Sequence, residues 1–144
     1  MPKLAVVYLS TQGNTKIMAE AIADGAKSRN LDVEIKSFYD WKPEEAAAAD
    51  AIAMGSSTFH YTILPPIEKF LDAMVKAGIK GKVGVAFGSY GWSGEAPGMI
   101  ADKMRKGGME ILDPVLRVQY KPSDKDIKEC NRLGKDIAEK LKKG

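Results

Sequence analysis

Apolar positions along the chain follow two alternating periods. Short runs rich in Val, Ile, Leu and Ala, "KLAVVYL" (3–9), "DVEIKSF" (32–38), "DAIAMGSS" (50–57), "GKVGVAFGS" (81–89) and "MEILDPVLRV" (109–118), predict five strands. The first, third and fourth are almost unbroken apolar runs, the pattern of central strands covered on both faces. Between the runs the period changes to that of a helix. Met18, Ala21, Ile22 and Gly25 fall at i, i+3, i+4 and i+7, as do Ile67, Phe70, Leu71 and Met74, and again Pro97, Ile100, Ala101 and Met104. A short alanine-rich turn of helix fits 44–49, and Trp41 falls in a loop beyond the second strand. The last helix starts at Ser123, with Asp126 placed to cap it, and carries Ile127, Cys130, Leu133, Ile137 and Leu141 on one stripe. Strict β/α alternation implies right-handed crossovers, and so a doubly wound, five-stranded parallel sheet with helices on both faces.

Composition narrows the class. With 144 residues, 44% hydrophobic and 28% charged, the chain is expected to form a single domain over 1–144. No apolar run approaches the roughly 20 residues of a membrane span. The start "MPKLAVVYLS" lacks the features of a secretory leader, so a soluble, cytoplasmic protein is expected. One cysteine and one histidine make neither an internal disulfide nor a Cys/His metal set. The net charge of +3 is unevenly placed: residues 1–120 hold 14 basic and 14 acidic side chains, so the excess lies in the last segment. No stretch interleaves aromatic with basic residues, so nucleic acid is not an expected partner.

A parallel sheet of this kind binds ligands at the carboxyl ends of its strands, at the switch in strand order. The segments there are "STQGNT" (10–15), "SSTFHYTILPP" (56–66) and "GSYGWSGEAPG" (88–98). In the first, Gly13 permits a tight turn into a helix whose first N–H groups lack acceptors, and Ser10, Thr11, Asn14 and Thr15 add side-chain donors. Those features read as a phosphate cradle, with an ordinary N-cap in a Ser/Thr-rich turn as the alternative. The loop has no lysine of the G-x-x-x-x-G-K-[ST] kind, which argues against a nucleoside triphosphate with magnesium. A receiver domain shares the architecture but needs carboxylates where this chain has Ser10, Thr11, Ser56 and Ser57.

The S-T-Q-G-N-T loop resembles the phosphate loop of flavodoxins, and the resemblance extends over essentially the whole chain. The segments "SSTFHYTILPPIEKFLD" and "GKVGVAFGSYGWSGEA" are most similar to the flavodoxin-like domain of flavodiiron proteins. This chain departs from the pattern at Gln12, where threonine is common, and at Phe59-His60, where small polar residues are usual; it has no diiron ligand set. The resemblance implies strand order 2-1-3-4-5 and FMN as cofactor. Ser10, Thr11, Gln12, Gly13, Asn14 and Thr15 would then surround its phosphate, while Ser57, Thr58, Phe59 and His60 with Ser89, Tyr90, Gly91, Trp92 and Gly94 would wall its ring. Trp92, on a glycine-rich loop without helical period, reads as a ring contact; Tyr61 reads equally as a cap on the core. His60 could bond the ring edge and titrate, or face water. Cys130, on the apolar stripe of the last helix, reads as a core residue.

Three functions follow in order. The first is an FMN electron carrier shuttling between redox proteins, whether a reductase, an iron–sulfur protein or a diiron oxidase partner. The second is an FMN-dependent NAD(P)H:quinone or flavin reductase, although the chain lacks the long insertions that cover the flavin in such enzymes. The third is a phosphate-binding module without flavin.

Overall fold

In the computed structural model, residues 2–10, 13–59, 62–63, 65–90, 94–112 and 115–143 are described, with the backbone course alone for 58–59 and 62–63. The chain runs β1 (Lys3–Leu9), α1 (Asn14–Lys27), β2 (Asp32–Ser37), a 3-10 turn (Phe38–Asp40), α2 (Pro43–Ala47) and β3 (Ala51–Ser56). It continues through β4 (Thr58–Phe59), β5 (Thr62–Ile63), α3 (Pro65–Ala77), β6 (Val83–Tyr90), α4 (Glu95–Lys106), β7 (Glu110–Ile111), β8 (Leu116–Gln119) and α5 (Asp124–Lys143). The sheet order is β2-β1-β3-β6, with β7 and β8 both pairing the outer side of β6, all parallel. Counting β7 and β8 as one interrupted strand gives the order 2-1-3-4-5.

Alternation along the central strands divides the core into two layers. Leu4 and Val6, Ala51 and Ala53, and Val85 and Phe87 face α1 and α5; Ala5 and Val7, Ile52 and Met54, and Ala86 face α2, α3 and α4. Each helical stripe read from the sequence is buried: Met18 and Ile22 in α1, Ile67, Phe70, Leu71 and Met74 in α3, Ile100, Ala101 and Met104 in α4. The start of α5 is a capping box, the Ser123 N–H and hydroxyl both donating to Asp126 Oδ2 (2.9 Å each) and the Asp126 N–H donating back to Ser123 Oγ (3.2 Å). Helices α1 and α5 meet where Gly25 and Gly134 face each other's backbone: a Cβ on Gly25 would lie 1.9 Å from the Asn131 carbonyl oxygen, and one on Gly134 2.0 Å from that of Ile22. Only glycine fits at either position.

Three features depart from the sequence reading. The fifth strand is split into β7 and β8, and the residues between include Pro114, which has no N–H to give to a ladder. The segment after β3 contains a small antiparallel hairpin, β4 with β5, pairing Thr58 with Ile63 and Phe59 with Thr62. Trp41 is a core residue, 5% exposed: its indole N–H donates to the Val6 carbonyl (3.1 Å) and Lys36 Nζ stands 4.3 Å from its ring centroid. No helix among the described residues is long and apolar enough to cross a membrane.

Candidate functional site

The carboxyl ends of β1, β3, β6 and β8 lie along one edge, in the registers Leu9 with Ser56, Gly55 with Phe87, and Tyr90 with Gln119. The three loops singled out in the sequence leave from this edge and are tied together at a single oxygen. Thr15 Oγ1 accepts the Ser89 N–H (3.2 Å) and shares a hydrogen bond with Ser57 Oγ (3.2 Å). Thr15 is fully buried and Ser89 is 5% exposed, so these two stand behind the surface and hold the loops in position. The Ser57 N–H reaches the Leu9 carbonyl (3.3 Å), and buried Ser56 turns its hydroxyl to the Ser57 carbonyl (3.0 Å).

In the first loop, Gly13 is the N-cap of α1 at φ +88°, a conformation L side chains rarely adopt, and its N–H donates to Ser10 Oγ (2.9 Å). No side chain caps the helix, and its first turn holds no carboxylate; the cation there is Lys16, which is exposed. A helix start in this condition offers N–H groups and the positive end of the helix dipole to an anion. The other three helices that begin at this edge do not. Two prolines, Pro65 and Pro66, open α3 and remove N–H donors; α4 carries Glu95 in its first turn; α5 is closed by Ser123 and Asp126. Among the described residues, one anion cradle therefore stands at this edge, and it fits a phosphate ester.

Close approach defines the remaining wall. A Cβ on Gly88 would lie 2.1 Å from the Ser56 carbonyl oxygen, which keeps β3 and β6 tight beneath the loops. A Cβ on Gly94 would lie 2.9 Å from the half-buried Tyr90 ring and 3.4 Å from Arg117 Cδ. Ser10, Gly13, Asn14, Ser57, Tyr90 and Gly94 are all partly exposed along this edge. Thr58 and Phe59 form β4 beside it. Thr11, Gln12, His60, Tyr61, Gly91 and Trp92 lie outside the described residues.

The edge also includes residues that the sequence reading passed over. β8 pairs with the end of β6, and the residue after it, Tyr120, is 63% exposed at φ +60°. Its N–H donates to the Tyr90 carbonyl (2.7 Å), and the Ser89 hydroxyl donates to its carbonyl (2.7 Å). A bulky aromatic squeezed between a strand and the Pro122-Ser123 helix start was the available signal. Cys130 is fully buried away from the edge, and burial first, then Asp126 and Glu129, pushes its thiol up to about 12.

Comparison with known proteins agrees with this geometry. A family model described as Flavodoxin matches residues 6–134. The "Putative diflavin flavoprotein A 5" of Nostoc sp. is 37% identical over 144 residues, a match covering 97% of this chain and 25% of that protein. The chain thus spans about a quarter of that relative's length. Among solved structures, a flavodoxin from the domain Archaea superposes with a TM-score of 0.94 at 62% identity, covering 97% of this chain and 99% of that one. The metal-soaked Flv1 flavodiiron core from Synechocystis superposes at 0.92 with 32% identity, covering 99% of this chain and 36% of that one. With its strand order, its glycine-started helix and its matched length, this chain belongs to the flavodoxin family, whose cofactor is FMN.

Proposed function

We propose that the chain, as one FMN-binding domain over 1–144, carries electrons between other redox proteins in the cytoplasm. The observation that carries this reading is the convergence of three strand-end loops on Thr15 Oγ1 beside a helix start with neither a side-chain cap nor an acid. The N–H groups opening α1, with Ser10, Thr11, Gln12, Gly13 and Asn14, would hold the FMN phosphate. Thr15 and Ser89 fix the separation of the loops from behind. Ser57, Thr58, Phe59 and His60, with Tyr90, Gly91, Trp92 and Gly94, would wall the FMN ring. Bound there, FMN supplies a ring that accepts and returns electrons. The protein's contribution is to orient that ring, exclude water from its faces, and leave an edge within reach of a partner.

The NAD(P)H reductase reading requires a place for a second, dinucleotide phosphate. The prolines opening α3, Glu95 in α4 and the capping box of α5 all work against one at this edge. A titration of the apoprotein with FMN, followed by flavin fluorescence, tests the reading. Quenching that saturates at one FMN per chain is expected; a protein that takes up no FMN would leave only the flavin-free phosphate-binding module.

A further inference from the structure

We infer that β2 is a self-association edge: two copies of this chain pair their β2 strands antiparallel, with Ile35 opposite Ile35 at the two-fold axis, so that the sheet runs on from one molecule into the next. β2 stands at the opposite end of the sheet from β6 and β8, so the pairing leaves the flavin edge open and does not depend on the carrier reading.

The backbone of β2 is open on its outer side. The strand ends the sheet order and pairs with β1 alone, and among the described residues no backbone group of 32–37 bonds to anything outside the sheet. The helix packed against it, α1, lies over one face, where Val33 and Ile35 are half-buried. An edge of this kind offers a row of N–H and C=O groups to another strand, and proteins blunt it with prolines, bulges or projecting charges. Those devices are missing here. Residues 32–37 include no proline, and the register with β1 runs from Lys3 with Asp32 to Tyr8 with Ser37 without a skipped residue, so no bulge turns the edge away. Lys36, the one lysine of the strand, is folded back: its Nζ stands 2.8 Å from Glu34 Oε2 and 4.3 Å from the centroid of the Trp41 ring.

The charge pattern selects a second copy as the occupant and fixes its register. In an antiparallel pair, residues directly opposite share a face, and like charges there repel. Val33 opposite itself would set Asp32 against Glu34 twice; Glu34 opposite itself joins two carboxylates, and Lys36 opposite itself two ammonium groups. With Ile35 on the axis, Glu34 of each copy meets Lys36 of the other, and Ile35 meets Ile35. That register alone of the four is free of a like-charge pair, and a one-residue slip would destroy it. The charges of Lys3, Asp32, Glu34 and Lys36 sum to zero, so the net charge of +3 is not concentrated on this edge. The same register carries the turn at the end of each β2 towards the start of β2 in the other copy. That turn holds Tyr39, 75% exposed and resting on Phe38 at a centroid distance of 4.1 Å, so an aromatic surface flanks the open edge. A six-residue strand with one such turn at each end buries less than the roughly 1,200 Å² of a stable complex, so the copies pair and separate readily.

Sedimentation velocity of the full chain with FMN, at about 0.15 M salt and from about 10 μM to about 500 μM, tests the inference. The sedimentation coefficient is expected to rise with concentration as a monomer–dimer equilibrium. Glu34→Lys and Lys36→Glu each place two like-charge pairs in the interface and are expected to weaken association about tenfold or more, with FMN affinity unchanged. The double variant Glu34→Lys/Lys36→Glu exchanges the charges and keeps them complementary in this register alone, so it is expected to associate as the parent does. A parent that stays monomeric throughout the range, single variants that associate as the parent does, or a double variant that remains monomeric would overturn the inference.

Discussion

Thr15→Val removes one oxygen and keeps the volume, so it isolates the tie on which the three loops depend. The Ser89 N–H, in a residue 5% exposed, loses its acceptor at 3.2 Å, while the Ser57 hydroxyl, partly exposed, can turn to water. An N–H left buried without a partner costs about 1–3 kcal/mol. At a central value of about 2 kcal/mol, a domain of this size should melt roughly 4–8 °C lower and unfold at about 1 M less urea. Thr15→Ser keeps the acceptor and sacrifices one methyl, and should lose only about 1 kcal/mol. Because the unpinned loops no longer hold the cradle and the ring walls in register, the Val variant should also bind FMN about tenfold more weakly, with the Ser variant near the parent. Urea unfolding of the apoproteins and fluorescence titration with FMN provide the two readouts. A Val variant within about 0.5 kcal/mol of the parent and unchanged in FMN affinity would refute the claim that Thr15 organises the site.

Gly134→Ala places a methyl 2.0 Å from the Ile22 carbonyl oxygen and should destabilise the fold by about 1–3 kcal/mol or more in urea unfolding, since helix backbones rather than a flexible side chain must move; a neutral effect would contradict the close α1–α5 packing. Riboflavin, which lacks the phosphate, should bind at least about tenfold more weakly than FMN, each hydrogen bond to a charged group contributing about 1.5–3 kcal/mol; equal affinities would remove the phosphate cradle. Trp92→Ala should weaken FMN binding by about 1–3 kcal/mol and relieve part of the fluorescence quenching, and an affinity like the parent's would detach Trp92 from the ring. The Cys130 thiol, raised from 9.0 to about 12 chiefly by burial, should resist iodoacetamide at pH 8 until the protein unfolds. Because the folded state disfavours its thiolate, this group's contribution to stability is intact below pH 9 and is lost as pH rises towards about 12; rapid labelling of the native protein would contradict the burial.

What was legible in the sequence depended on whether the signal was local. The stripe Ile67, Phe70, Leu71 and Met74 repeats within one helix and is buried as read, and the Ser123–Asp126 cap spans three residues and forms as read. Long-range choices were less visible. Trp41 stands between the charged Asp40 and Lys42, and the acceptor that allows its burial is the carbonyl of Val6, 35 residues earlier. Gly25 and Gly134 look like ordinary helix residues until the two helices cross, because the reason for each glycine lies in the other helix. The β4–β5 hairpin has too few residues to show a period of two. Thr15 reads from its residue type as a donor to the phosphate and Ser89 as part of the ring wall; both are buried, and the bond between them ties the loops together. Tyr120 carries no motif, and its left-handed backbone conformation is something no hydropathy pattern encodes.

The central claim is that this chain holds FMN for exchange with other proteins and does not itself take hydride from a dinucleotide. Stopped-flow reduction of the FMN-loaded protein by NADPH, recorded at the flavin absorbance with and without a catalytic amount of a flavodoxin reductase, tests it most directly. Negligible bleaching is expected with NADPH alone, and rapid, complete reduction once the reductase is present. Brisk bleaching by NADPH with no other protein in the cell would contradict it and establish the reductase reading.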